Sequence, residues 1–196
     1  MLASIARVTL QGIAPMTHSH QHDEPKLEGE QPDAYDIRTW RKKLNVNADG
    51  TSIVLRAHGV QQCIAAAAKY SSRQIPGQGK KTWTKKFEAG LMILEDPELK
   101  IDPASVNSIT ISANSDGVRG SGKRVPRRFP VIPPGWQTTF DVTILDPIIT
   151  EDIFSEMVAL AGMFIGVGQF RPEKGGTNGR FKLAKLVWED NRQIAA

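Results

Sequence analysis

The chain has a single cysteine, Cys63, which excludes an intramolecular disulfide. It sits in the alanine-rich run VQQCIAAAAKY and reads as a small buried hydrophobe. No apolar run approaches the roughly 18 residues that a membrane-spanning helix needs. The opening MLASIARVTLQGI alternates in polarity and places Arg7 where a secretory signal would be continuously apolar. A cytoplasmic protein with no membrane contact is the expectation.

Catalytic signatures are missing too. There is no GxSxG and no HExxH, Cys63 has no histidine pairing, and no glycine-rich loop carries a pair of carboxylates. Glu151 and Asp152 are adjacent, but a place in the first turn of a helix explains both. GVRGSGKR (117–124) has phosphate-loop spacing, yet Arg124 stands where a magnesium-binding hydroxyl belongs and Pro126 follows where a helix should open. Gly166-Val167-Gly168 lacks the third glycine of a dinucleotide fingerprint and follows a helical pattern rather than a strand. The residues give no catalytic constellation, and neither a cofactor nor a metal is expected.

What the chain does have is unevenly placed positive charge. Its 196 residues carry a net charge of only +4, and residues 1–50 hold six bases against seven acids. Residues 69–90, by contrast, carry Lys69, Arg73, Lys80, Lys81, Lys85 and Lys86 against Glu88 alone. Residues 119–128 carry Arg119, Lys123, Arg124, Arg127 and Arg128 with no acid, and residues 168–185 set five bases against Glu173. All three clusters are punctuated by glycine. Brought together by the fold, they would line a groove for a polyanion; kept apart, they would be solvated loops.

The periodicities outline an α+β domain. Residues 4–13 alternate as a first strand, and 59–72 form a helix with Val60, Ile64, Ala67 and Ala68 on one face. Residues 87–94, 106–112, 137–145 and 180–188 read as strands, SIVL (52–55) as a short extra one, and DIRTWRKKL (36–44) as either a helix or a strand. Thr150 is a good N-cap for a helix running into the glycines after residue 161. Long loops are expected over 15–36 and 113–135. With one middle strand taken as an insertion, the order is βαββαβ: a modified ferredoxin-like antiparallel sheet with helices on one face and long basic insertions. The expectation is one domain over 1–196, with insertions at about 14–50 and 113–135.

The segment GMFIGVGQFRPEKGGTNGRFK (162–182) suits an anion: glycines let the backbone approach closely, and Arg171, Lys174 and Arg180 supply charge-assisted donors. Trp83 among four lysines is the best candidate to stack on an unpaired base, while Phe129 and Phe170 read equally as loop anchors. His18, His20 and His22 alternate in THSHQHD, but no second ligand cluster accompanies them; one could serve as an acid or base in metal-free RNA cleavage.

The loop IGVGQFRPEKGGTNGRFKL (165–183), placed between the second helix and the last strand of a βαββαβ order, resembles that of the RAMP superfamily of CRISPR-associated RNA-binding proteins. VTLQGIAPMTHS is a weaker second match. WRKKL, GKRVPRRFPVIP and IGVGQFRP are also similar to phage and prophage proteins. The resemblance implies an RNA or single-stranded nucleic-acid binder without sequence preference, assembling as a homo-oligomer or filament, with other CRISPR effector subunits as further partners. The expected contacts are Lys80, Lys81, Lys85 and Lys86 from one loop, Arg119, Lys123, Arg124, Arg127 and Arg128 from another, and Arg171, Lys174 and Arg180 from the glycine loop, with Trp83 stacking. Two alternatives stay open: a crRNA-processing-type endoribonuclease using a histidine from 18–22, and a phage structural or CRISPR-mimicking interaction protein.

Overall fold

The structure, a computed structural model, describes residues 2–114 and 122–193. In chain order its strands are β1 (Leu2–Gly12), β2 (Met16–Thr17), β3 (Leu91–Met92), β4 (Asn107–Asn114), β5 (Arg124–Ile132), β6 (Gln137–Ile144) and β7 (Phe181–Gln193). Its helices are α1 (Pro32–Thr39), α2 (Ala57–Ser71), α3 (Thr84–Ala89) and α4 (Glu151–Leu160).

Strict alternation builds the main sheet. β1 buries Ala6, Val8 and Leu10 and turns Arg7 and Thr9 to the other face, while β6 buries Thr138, Phe140, Val142 and Ile144. The strands lie in the order β3-β6-β1-β7, all antiparallel. α2 leads from β1 towards β3, passing over β6, and α4 leads from β6 to β7, passing over β1. This is the split βαβ of an α+β, ferredoxin-like fold. The two helices cover one face: α2 buries Val60, Cys63, Ile64, Ala67 and Ala68, and α4 buries Phe154, Met157 and Val158. The opposite face stays polar, with Arg7 paired to Asp141 at 2.8 Å and the Thr9 and Thr139 hydroxyls 2.9 Å apart. α4 begins as its sequence indicates, with Thr150 Oγ1 accepting from the Ile153 N–H at 3.5 Å and Glu151 and Asp152 in the first turn. It then widens into a π turn over Ala161–Ile165.

The chain between β1 and α2 supplies β2 and α1, and the chain between β3 and β6 supplies the β4–β5 hairpin. These form a second sheet, β2-β5-β4. Asp36 in α1 ties the two together. It accepts from Lys43 Nζ at 2.7 Å and from the Arg128 backbone N–H at 2.6 Å, and Lys43 also donates to the Arg128 carbonyl at 2.6 Å.

Three expectations from the sequence are corrected. The 113–135 segment holds a strand, β5, where a long loop is expected. Its prolines at 126 and 130 share one alternate register opposite Ser112 and Ser108, so neither needs to donate to β4. Residues 87–94 are helix before they are strand: Trp83 and Phe87 stand four apart, both buried with their rings edge to face, and only Leu91 and Met92 pair with β6. SIVL makes isolated bridges, Val46 to Ile53 and Val54 to Glu98, rather than a strand. The ambiguous 36–44 segment is the end of α1 followed by a 3₁₀ turn over Trp40–Lys43.

The sheet register gives the domain two distinct ends. Where β1 finishes, Gly12 lies opposite Phe181 and Gln11 opposite Gln137, and there the 165–180 loop, the start of α2 and the second sheet gather. Where Ser4 faces Ile144 lie the close of α2, the 72–83 loop, α3 and the start of α4. The 15 residues of α2 separate these ends by about 22 Å.

Candidate nucleic-acid interface

The three basic clusters do not form one groove. Two share the hairpin end: Phe129 of β5 packs edge to face on Phe170 of the glycine loop, with ring centroids 5.0 Å apart. The third, 69–90, is divided: Lys69 shares a cleft with Arg171, while the 80–86 lysines lie at the opposite end of the sheet. This follows from α2, which starts at one end and delivers the chain to the other.

At the lysine end much of the charge is already answered. Lys86 is half-buried and pairs with Asp146 at 2.8 Å, Lys85 lies 3.3 Å from Glu88, and Arg73 pairs with Glu156. Lys80 and Lys81 are exposed and carry no ion pair among the described residues. Trp83 is not a stacking platform. It is 3% exposed, at the start of α3 against Phe87, so its faces are closed to a base. Its polar neighbours in sequence conceal this, and its spacing from Phe87 is the signal that reveals it.

The glycine loop spends its donors on itself and on the 15–17 segment. The N–H groups of Val167, Gln169, Asn178 and Gly179 go to Gly179 (3.0 Å), Thr17 (2.7 Å), Phe170 (3.1 Å) and Pro15 (2.7 Å) carbonyls. Gly179 has φ +73°, and a Cβ there would collide with the Val167 carbonyl, so close approach of chain to chain dictates that glycine. The loop's cations are clasps as well. Arg171 holds Glu173 through Nε (3.0 Å) and the Gly168 carbonyl through Nη1 (3.2 Å), while Arg180 donates to the Met163 and Thr177 carbonyls. Lys174 lies 3.6 Å from Glu173. Arg171 and Arg180 thus clasp the loop before they meet any ligand, while Lys174 stays exposed beside Glu173.

The hairpin differs. Lys123 and Arg124 are exposed and Arg127 and Arg128 half-buried, and none of the four side chains forms an ion pair among the described residues. Among the described residues, the one side-chain bond from these cations goes to a neutral acceptor, Arg124 Nη2 to the Ser112 carbonyl at 3.0 Å. Arg119 lies outside the described residues. The clasp at Asp36 and Lys43, with Lys43 Nζ also 5.0 Å from the centre of the Phe129 ring, fixes the base of this ribbon.

The three histidines differ in setting. His20 is exposed and His22 leans on Tyr35, with centroids 6.2 Å apart. His18 is 2% exposed; its Nδ1 accepts the Asn45 N–H at 3.2 Å. Burial first, and then Arg56 and His20, push its pKa down to about 4, so it stays neutral at physiological pH. His18 lines an open cleft of about 510 Å³ over the outer side of α2, walled by Arg56, Gly166 and Arg171. Cys63 lies in its floor, its thiol donating to the Gly166 carbonyl at 3.3 Å and pushed up to about 12 by burial. Among the described residues, no helix is long and apolar enough to cross a membrane.

No protein-family model matches the sequence, and no curated protein matches it either. By structure the chain is similar to Cmr6 from Pyrococcus furiosus, with TM-score 0.51 and 11% identity over 93% of this chain and 100% of that one. It is also similar to a chain in the cryo-EM structure of the type III-B Cmr-beta bound to cognate target RNA, with TM-score 0.50 and 12% identity over 96% of this chain. It spans 61% of that chain's length. At these identities the likeness is one of fold.

Proposed function

We propose that the protein binds RNA without regard to sequence, gripping the strand at its hairpin end. The observation that carries this is the set Lys123, Arg124, Arg127 and Arg128: four cations on one ribbon whose side chains form no ion pair among the described residues, beside the glycine loop. A phosphate backbone supplies the missing counter-charge, and Lys and Arg contacts of this kind carry no base information. The type III-B Cmr-beta structure of similar fold is bound to its cognate target RNA, which favours RNA over DNA as the strand.

By the resemblance in its loop, copies of the protein assemble side by side along the strand within a CRISPR-type effector. The endoribonuclease alternative has less support: His18 is buried and neutral, and His22 leans on Tyr35. The test is fluorescence anisotropy of a labelled unstructured oligoribonucleotide at several salt concentrations. The expected result is affinity that falls steeply with salt, with a slope of about −0.7 for each phosphate neutralised. Absent binding or a flat slope would overturn the proposal. Mass photometry on RNAs of increasing length checks assembly, with copy number expected to rise with length.

A further inference from the structure

Away from the hairpin, the cleft over α2 has features that a backbone-gripping role leaves unused. Its volume of about 510 Å³ falls within the roughly 300–1,000 Å³ of small-ligand sites. Its floor is apolar where Val60, Cys63, Ala66 and Ile165 meet, and Lys69, Arg56 and Arg171 stand on its walls. Glu88 and Glu173 also line it, Arg171 is held by Glu173, and Arg56 pairs with Asp96 at 2.7 Å. Lys69 is therefore the cation of the lining with no ion pair among the described residues. That charge balance fits one phosphate better than a run of them. His18 adds a fixed neutral donor. Its Nδ1 is occupied by the Asn45 N–H, so the ring proton sits on Nε2, which has no acceptor among the described residues.

Next in the chain to two residues of the lining, Lys69 and Ile165, stands an aromatic pair, Tyr70 and Phe164. Tyr70 lies one helical turn beyond Ala66 on the same face of α2, and Phe164 immediately precedes Ile165. Their rings stack with centroids 5.0 Å apart and planes 19° apart, while remaining 58% and 46% exposed. The π turn over Ala161–Ile165 carries Phe164 on this surface, and a π turn inside a helix frequently marks a functional position. Two stacked rings left open to water are poorly explained by packing. They suit a nucleobase, whose flat face extends the stack.

We propose that this cleft holds one unpaired nucleotide of the bound RNA, its base on the Tyr70–Phe164 platform and its phosphate at Lys69. The proposal rests on the RNA-binding reading and names what is bound at a second place on the domain. The shared chemistry is that of a nucleotide, and the strand is its source.

The test uses the full-length protein with single-stranded oligoribonucleotides containing 2-aminopurine, whose fluorescence is quenched on stacking. Wild type is expected to quench the probe at saturation. The double variant Tyr70→Ala with Phe164→Ala is expected to abolish the quenching and weaken affinity about tenfold without changing the salt slope, because no cation is lost. Tyr70→Phe is expected to keep the quenching. Circular dichroism checks that each variant is folded. Unchanged quenching and affinity in the double variant would overturn the proposal while leaving RNA binding intact. A wild type that binds no RNA would instead sink the underlying reading. Tyr70-dependent binding of free AMP without quenching by the oligonucleotide would make the occupant a free nucleotide and overturn the strand proposal. Loss of assembly with RNA affinity and quenching intact would make the platform a protein interface, which overturns it too.

Discussion

The two ends of the sheet are both rich in positive charge, yet they hold it differently. At the lysine end Lys85, Lys86 and Arg73 each face an acid, and Trp83 is closed into the core. At the hairpin end the side chains of Lys123, Arg124, Arg127 and Arg128 form no ion pair among the described residues, although Arg171 and Arg180 of the loop beside them are clasped. A basic run in sequence measures charge along the chain, while a ligand meets what is left after neighbours in space have answered it. By that measure a ribbon of four cations outweighs a lysine-rich loop.

The contrast is most easily broken at the clasp beneath the ribbon. Asp36→Ala would leave Lys43 half-buried without its carboxylate and free the Arg128 N–H, and is expected to cost about 4 kcal/mol, read from the urea midpoint. A loss under about 1 kcal/mol would mean that the ribbon is not fixed to the domain. Next is Gly179→Ala, expected to cost about 3 kcal/mol and to lower the melting temperature by about 10 °C, because the added Cβ meets the Val167 carbonyl at positive φ. Near-wild-type stability would return the glycine loop to the role of an open anion cradle.

His18 sharpens the comparison through pH. Its folded pKa lies near 4, below the ordinary 6.5, so the unfolded chain takes up the proton first as the pH falls. Its contribution is complete above pH 6.5 and drains away towards pH 4, about 2 kcal/mol being lost between pH 7 and pH 5. Denaturation at the two pH values should show this loss, and His18→Gln should remove it; an unchanged slope in the variant would place the titration elsewhere. The smallest effects belong to the lysine end. Lys86→Ala, at a half-exposed pair with Asp146, should cost under about 1 kcal/mol in thermal unfolding.

The sequence carried the main sheet and its two long helices plainly, because β1, β6, α2 and α4 each bury one clean face of their own period. β5 was hidden by Pro126, Pro130 and three cations, Arg124, Arg127 and Arg128, which make the middle strand of a small sheet look like a loop. α3 was hidden because FEAGLMIL is short enough for either period, and contact with Trp83 decided it. The charged ribbon was legible as a cluster; that its side chains form no ion pair among the described residues was not. Nor was the clasp, since Asp36 and Arg128 meet across 92 positions of chain. Tyr70 and Phe164 lie still further apart in sequence, and no local pattern pairs them.

The most direct measurement compares salt slopes for single-stranded RNA binding in two multiple variants, one replacing Lys123, Arg124, Arg127 and Arg128 with alanine and the other replacing Lys80 and Lys81. If the hairpin end grips the strand, the first variant loses about 3 from the slope of log affinity against log salt, and the second stays within about 0.5 of wild type. The opposite ranking, with the lysine variant losing its slope while the hairpin variant keeps it, would contradict the assignment of the interface to the hairpin end.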